Sequence, residues 1–189
     1  PPPPLFFLFT RLPPISTLFP STTLFRSWTT QRIEEANKFA EENGMEPIRI
    51  SQINYSLAHS SVETFGDNTL VCMDTKEFRW YKKHDFPVMA FSPQAKGFFA
   101  KLAKGDAANN LPEGQYAGPA NLARLAKVKQ LSEQTGDTPA KITLGYLNSQ
   151  PFFVSSVFAV TKLWQLDEDM EAQDLTYDPK TVAFLENMI

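Results

Sequence analysis

Ile33, Ala36 and Ala40 recur at three- and four-residue spacing, with Glu34, Glu35, Lys38 and Glu41 on the faces between them. An apolar stripe of that period beside a charged one predicts an amphipathic helix through "WTTQRIEEANKFAEENG". Thr29 or Thr30 can cap its start, and Gly44 can take the left-handed conformation that ends it. "PIRISQINYSL" then loses the helical period and is rich in β-branched and aromatic residues, the signature of a strand.

The same alternation runs to the C-terminus. In "DTKEFRWYKKHD", Asp74 can cap the amide three residues on and Glu77 can reach back to it, a variant of the capping box. "FPVMAFSP" is a near-continuous apolar run, as a strand buried on both faces requires. A loop of small and polar residues fills about 105–119. Leu122, Leu125 and Val128 then mark a helix closed by "TGD", and Thr138 before Pro139 marks the start of the next. "FFVSSVFAV" is a third strand, and "LWQLDEDMEAQDL" a helix with Leu163, Leu166 and Met170 on one side. Asp178 and Pro179 begin a last helix through Phe184 and Leu185. Strands alternating with helices predict an α/β fold with a parallel sheet. Three strands cannot close a barrel, so these residues read as a piece of a larger α/β domain.

Residues 1–27, "PPPPLFFLFTRLPPISTLFPSTTLFRS", follow no such pattern and carry no acidic residue. The apolar run "LFFLF" is too short and too framed by proline for a secretory signal or a membrane span. A proline-rich ligand for an aromatic groove is one reading of the stretch. The other is that Thr22–Ser27, "TTLFRS", resembles the conceptual translation of a short-read sequencing adapter. The division expected is a non-native or disordered leader at 1–27 and an α/β part at 28–189.

Composition narrows the chemistry. A net charge of −3 and a pI near 5.4 supply no basic field for phosphate backbones, so nucleic acid is not an expected partner. The single cysteine, Cys72, has no metal-spaced partner and reads as a buried structural thiol. His59 and His84 are far apart, so no metal site is expected. A cytoplasmic protein acting on a small molecule fits these observations.

Four motifs carry a resemblance. After its fifth strand, which ends in a Ser-Asn-Trp-type motif, the aldo-keto reductase family continues with a "TT.RI.EA...A...G" pattern, matched by Trp28 to Gly44. "SQINYSL" (51–57) is similar to the family's "NQ.EYSL", and "AFSPQAKGFF" (90–99) to "AYSPLG.GFL". "TPAKITLGYLNSQP", "VFAVTK" and "WQLDED" follow the family's closing segments in order. The resemblance implies the C-terminal part of a (β/α)8 TIM barrel, truncated to about strands 6–8 with their helices. It further implies a fragment of an NADP(H)-dependent oxidoreductase that reduces aldehydes or ketones by hydride transfer.

Carried over by position, the resemblance gives Gln52 to the nicotinamide carboxamide and Phe91 to stacking on the nicotinamide ring. Ser92, Gln94 and Lys96 would lie along the pyrophosphate. Thr161 and Lys162 would approach the adenosine 2′-phosphate, with Gln165 and Asp169 toward the adenine. Without the resemblance, Gln52 would satisfy backbone groups, Phe91 would be core, and the lysines would be solvated. Ala159, Val160 and Thr161 replace the family's Gly-Ser-Arg, and Gln94 and Ala95 replace Leu-Gly. NADPH is the expected cofactor, with NADH left open by those departures. The family's Asp, Tyr, Lys and His catalytic set belongs to the first half of the barrel, so no catalytic residue is assigned and the chain alone is expected to be inactive. A non-catalytic, cofactor-sensing regulatory subunit of the same fold is the alternative. Trp80, Tyr81 and Trp164 read as packing residues.

Overall fold

A computed structural model describes residues 24–105 and 116–186. Most of the 1–27 leader and of the loop at 105–119 lies outside the described residues. Four strands form one parallel sheet in the order β1-β2-β3-β4: β1 Leu24–Arg26, β2 Ile50–Asn54, β3 Val88–Phe91 and β4 Val154–Val157. Sequence neighbours are therefore sheet neighbours throughout, the winding of a β/α barrel wall.

One strand more is present than the pattern predicts. Leu24 pairs with Ile50 and Arg26 with Gln52, ahead of Trp28 where the α/β text was expected to start. Three residues are too few to show a period, and their pairing comes from the otherwise unpaired edge of β2. The Ser27 amide extends it by donating to the Gln52 carbonyl at 2.8 Å.

The helices begin and end where local chemistry directs. Helix α1 spans Thr30–Glu42 with Thr29 as its cap, the hydroxyl accepting from the Arg32 amide. A short α2, Val62–Phe65, precedes α3, Thr75–His84, which Asp74 caps through the Glu77 amide at 2.8 Å. Glu77 does not reach back as expected. Its carboxylate crosses to α1, where Oε2 accepts from the Thr30 amide at 3.0 Å and Oε1 from the Thr30 hydroxyl at 3.2 Å. Helices α4, Phe98–Ala103, and α5, Pro119–Thr135, follow β3. Next come α6, Pro139–Asn148, α7, Leu163–Glu171, and α8, Pro179–Leu185.

The core lies between one sheet face and these helices. Ile53, Val88 and Ala90 pack with Tyr81, Phe98, Ile142, Tyr146 and Phe152, all buried. The Tyr81 hydroxyl donates to Ser51 Oγ at 3.0 Å, which lets a polar residue sit at the buried face of β2. The opposite face differs from expectation. Met89 and Phe91 alternate with Val88 and Ala90 and are only half-buried, so β3 is not buried on both sides among the described residues. Cys72 is likewise half-buried, not fully, and burial pushes its thiol up. Leu122 and Leu163, read as packing positions, are 44% and 81% exposed. Val128 is buried as expected, joined in α5 by Asn121 and Leu131, and the buried position of α7 is Asp169.

Candidate cofactor site

The loop that follows β3 holds unusual backbone. Ser92, Ala95 and Lys96 have φ of 52°, 48° and 56°, and Gly97 has φ of 81°. Left-handed conformations in residues with a Cβ cost free energy and collect where a loop must hold a shape. Here the Ala95 amide donates to the Ser92 carbonyl and the Gly97 amide to that of Gln94, both at 2.9 Å, curling the chain into a tight turn before α4. The turn forms one wall of a cleft of about 1060 Å³.

The other wall is the β4–α7 connection. Gln165 organises it: its Oε1 accepts from the Thr161 amide at 3.0 Å, the Thr161 hydroxyl at 3.1 Å and the Lys162 amide at 2.9 Å. Those bonds satisfy amides at the start of α7 that would otherwise lack intrahelical acceptors. Across the cleft, Gln94 Nε2 donates to Asp169 Oδ1 at 2.6 Å. Asp169 is 5% exposed, and burial holds its carboxyl above the usual range while the Gln94 bond pulls it partly back.

Six of the nine residues expected to hold the cofactor therefore line this one cleft: Ser92, Gln94, Lys96, Thr161, Gln165 and Asp169. Lys162 caps α7 just outside the lining and is exposed. Phe91 adjoins the cleft through Ser92 and Val157, whereas Gln52 lies one strand away on the same half-covered sheet face. Gln52 sits in register between Arg26 and Met89, and Phe91 between Asn54 and Val157. The carbonyl of Gln165, expected toward adenine, is engaged by the helix start.

The sequence reading missed two contributors. Trp164, expected to pack, is 54% exposed and lines the cleft, with Lys104 Nζ 5.1 Å from its ring centroid. Lys104 lines the cleft as well. A tryptophan in the first turn of a helix after a strand end was the available signal. The helical period hid it, because Leu163 beside it suggested an apolar face.

A family model of the aldo/keto reductases matches residues 25–189. The chain belongs to the aldo/keto reductase family. That family folds as a (β/α)8 barrel, and the four consecutive parallel strands are consistent with part of such a wall. Its members are oxidoreductases that generally use NAD(P)H, and enzymes with the (β/α)8 fold carry their active sites at the C-terminal ends of the strands. Those ends carry the cleft and Phe91 in this aldo/keto reductase chain. The donors on the cleft, the Ser92 and Thr161 hydroxyls and the Lys96 ammonium, are of the kind that suits the phosphates of a dinucleotide. Ser27 Oγ, next to Gln52 at the end of β1, is buried without a hydrogen-bond partner. Among the described residues, no three His, Cys, Asp or Glu side chains are grouped to hold a metal ion, and no helix is long and apolar enough to cross a membrane.

Proposed function

We propose that this chain forms the cofactor-holding side of an NADP(H)-dependent reductase of small aldehydes or ketones. The observation that carries the reading is the convergence of Ser92, Gln94 and Lys96 with Thr161, Gln165 and Asp169 on one cleft beside the strand ends. When bound, the cofactor supplies a hydride. The residues bind and orient it: Gln52 by its amide at the carboxamide, and Phe91 by its aromatic face at the nicotinamide ring. Ser92 and Lys96 serve the pyrophosphate, Lys96 as a point charge. Thr161 and Lys162 serve the 2′-phosphate, with Thr161 at the position of the family's arginine and Lys162 beside it supplying the positive charge. Asp169 and the remaining amide of Gln165 face the adenine end.

The partner is a small carbonyl compound and the setting is the cytoplasm, with neither nucleic acid nor membrane involved. These 189 residues hold no residue matched to the family's Asp, Tyr, Lys and His set, so they bind cofactor without turning over a carbonyl. Calorimetric titration with NADPH and NADH tests the reading. Saturable binding with NADPH the tighter is expected, together with no oxidation of NADPH when a panel of aldehydes is added. Absence of binding at millimolar cofactor overturns the cofactor assignment, and turnover of any aldehyde overturns the inactivity.

A further inference from the structure

Parallel register puts Arg26, Gln52 and Met89 on one face of the sheet, and Phe91 follows two residues after Met89 on that same face. Arg26 ends β1 and is exposed. Its side chain passes across β2, and the guanidinium carbon lies 5.3 Å from the centroid of the Phe91 ring. A cation over an aromatic face at that distance is held by the ring quadrupole. The family motif at this strand end is Ser-Asn-Trp, where this chain has Arg26, Ser27 and Trp28. A serine at position 26 is too short to reach the Phe91 ring.

We propose that Arg26 occupies the face of Phe91 on which the cofactor's nicotinamide stacks, and so competes with cofactor binding from within the chain. The inference rests on the stacking role given to Phe91 above. One ring face in a half-covered position accommodates one planar partner, so the guanidinium and the nicotinamide exclude each other. Displacement is feasible because Arg26 is exposed, and its charge regains water as it leaves. The competition is therefore modest and graded. It weighs more heavily on the oxidised cofactor, whose nicotinamide ring is cationic and is repelled by the displaced guanidinium, than on the neutral reduced one.

The test is calorimetric titration of the 189-residue chain and of its Arg26→Ser, Arg26→Met and Phe91→Ala variants. Three ligands are used: NADPH, NADP+ and the ring-less analogue adenosine 2′-phosphate 5′-diphosphoribose. Arg26→Ser and Arg26→Met should both tighten NADPH by about two- to fivefold, the size of an exposed cation–π contact. NADP+ should gain more, and the ring-less analogue should not gain at all. Unchanged NADPH affinity in both Arg26 variants, with Phe91→Ala still weakening it, overturns the competition and leaves the stacking reading intact. An equal change for all three ligands also overturns it, because that is a general charge effect on phosphate. If Phe91→Ala leaves binding of NADPH unaltered, the stacking reading itself fails and the inference fails with it.

Discussion

Gln94 Nε2 donates to Asp169 Oδ1 at 2.6 Å, joining two residues 75 positions apart across the candidate cofactor cleft. Asp169 is nearly buried, so its charged form depends on that donor for compensation. Gln94→Leu, which restores the residue type the family carries, should destabilise the fold at neutral pH by about 1–3 kcal/mol. The sign with pH follows from burial. Asp169 titrates above its unfolded value, so its contribution to stability is full below the unfolded pKa and is lost as pH rises through the folded one. Removing the donor raises the folded pKa further. The penalty should be largest at pH 7 and shrink toward pH 4 in urea denaturation, whereas a penalty independent of pH contradicts the assignment. Asp169→Asn keeps the acceptor oxygen, removes the charge and should abolish the pH effect.

Glu77 anchors the start of α1 from another helix. It is 4% exposed, and both oxygens accept from Thr30, which is itself 2% exposed. Burial raises the Glu77 carboxyl, and the two bonds from Thr30 lower it in part. Glu77→Ala should cost about 1–3 kcal/mol by leaving the Thr30 amide buried and unpaired. Glu77→Gln retains one acceptor and should cost less. Hydrogen exchange at the first turn of α1 reports the difference, and equal protection in the two variants would sink the argument.

Much of this fold was legible because local chemistry and tertiary demand agree. Thr29, Asp74, Thr138 and Asp178 cap the helices at the starts their side chains suggested. Gly44 and Gly136 adopt the left-handed conformations that close α1 and α5, with φ of 64° and 79°. What stayed hidden depends on contacts distant in sequence. Glu77 had an acceptor role that sequence could show and a partner 47 residues away that it could not. Strand β1 exists through its pairing with β2, since three residues carry no pattern of their own. The site was legible only through resemblance. Lys96, Thr161 and Asp169 have no local mark distinguishing a cleft from a solvated surface, and the exposure of Trp164 ran against its hydropathy.

Lys96 holds φ 56° and ψ 29° with an exposed side chain, so its backbone strain is not offset by burial. Lys96→Gly should stabilise the chain by about 0.5–1 kcal/mol, the balance between relieved left-handed strain and greater freedom of the unfolded chain. The same change removes a cation from the cleft and should weaken NADPH binding severalfold. Stability and affinity then move in opposite directions, measured by urea denaturation and calorimetry on one sample. If both fall, the backbone conformation is not the source of strain. Lys96→Asn should show the loss of affinity with a smaller gain in stability, because asparagine tolerates the left-handed region better than lysine does.

Gly145 lies on the buried side of α6 where the chain leaving α7 passes over it. A Cβ there would stand 2.8 Å from Tyr177 Cε2 and 2.9 Å from Leu175 Cγ. The backbone that carries both neighbours is tied to α6. Asn148 Nδ2 donates to the carbonyls of Ala172 at 2.9 Å and Leu175 at 3.2 Å, and the Tyr177 amide donates to Ser149 Oγ at 2.6 Å. Alanine in a helix interior is worth about 1 kcal/mol over glycine, but overpacking a fixed contact costs about 1–3 kcal/mol. With the neighbours tied to α6 itself, the steric term should win, and Gly145→Ala should lose about 1 kcal/mol or more in urea denaturation. Leu175→Ala opens the space that the new methyl needs. The double variant should therefore be more stable than the sum of the two single losses predicts, by at least 0.5 kcal/mol for residues in direct contact. Simple additivity would show that α6 and the 172–177 segment separate freely, and that the close approach at Gly145 does not constrain the path out of α7.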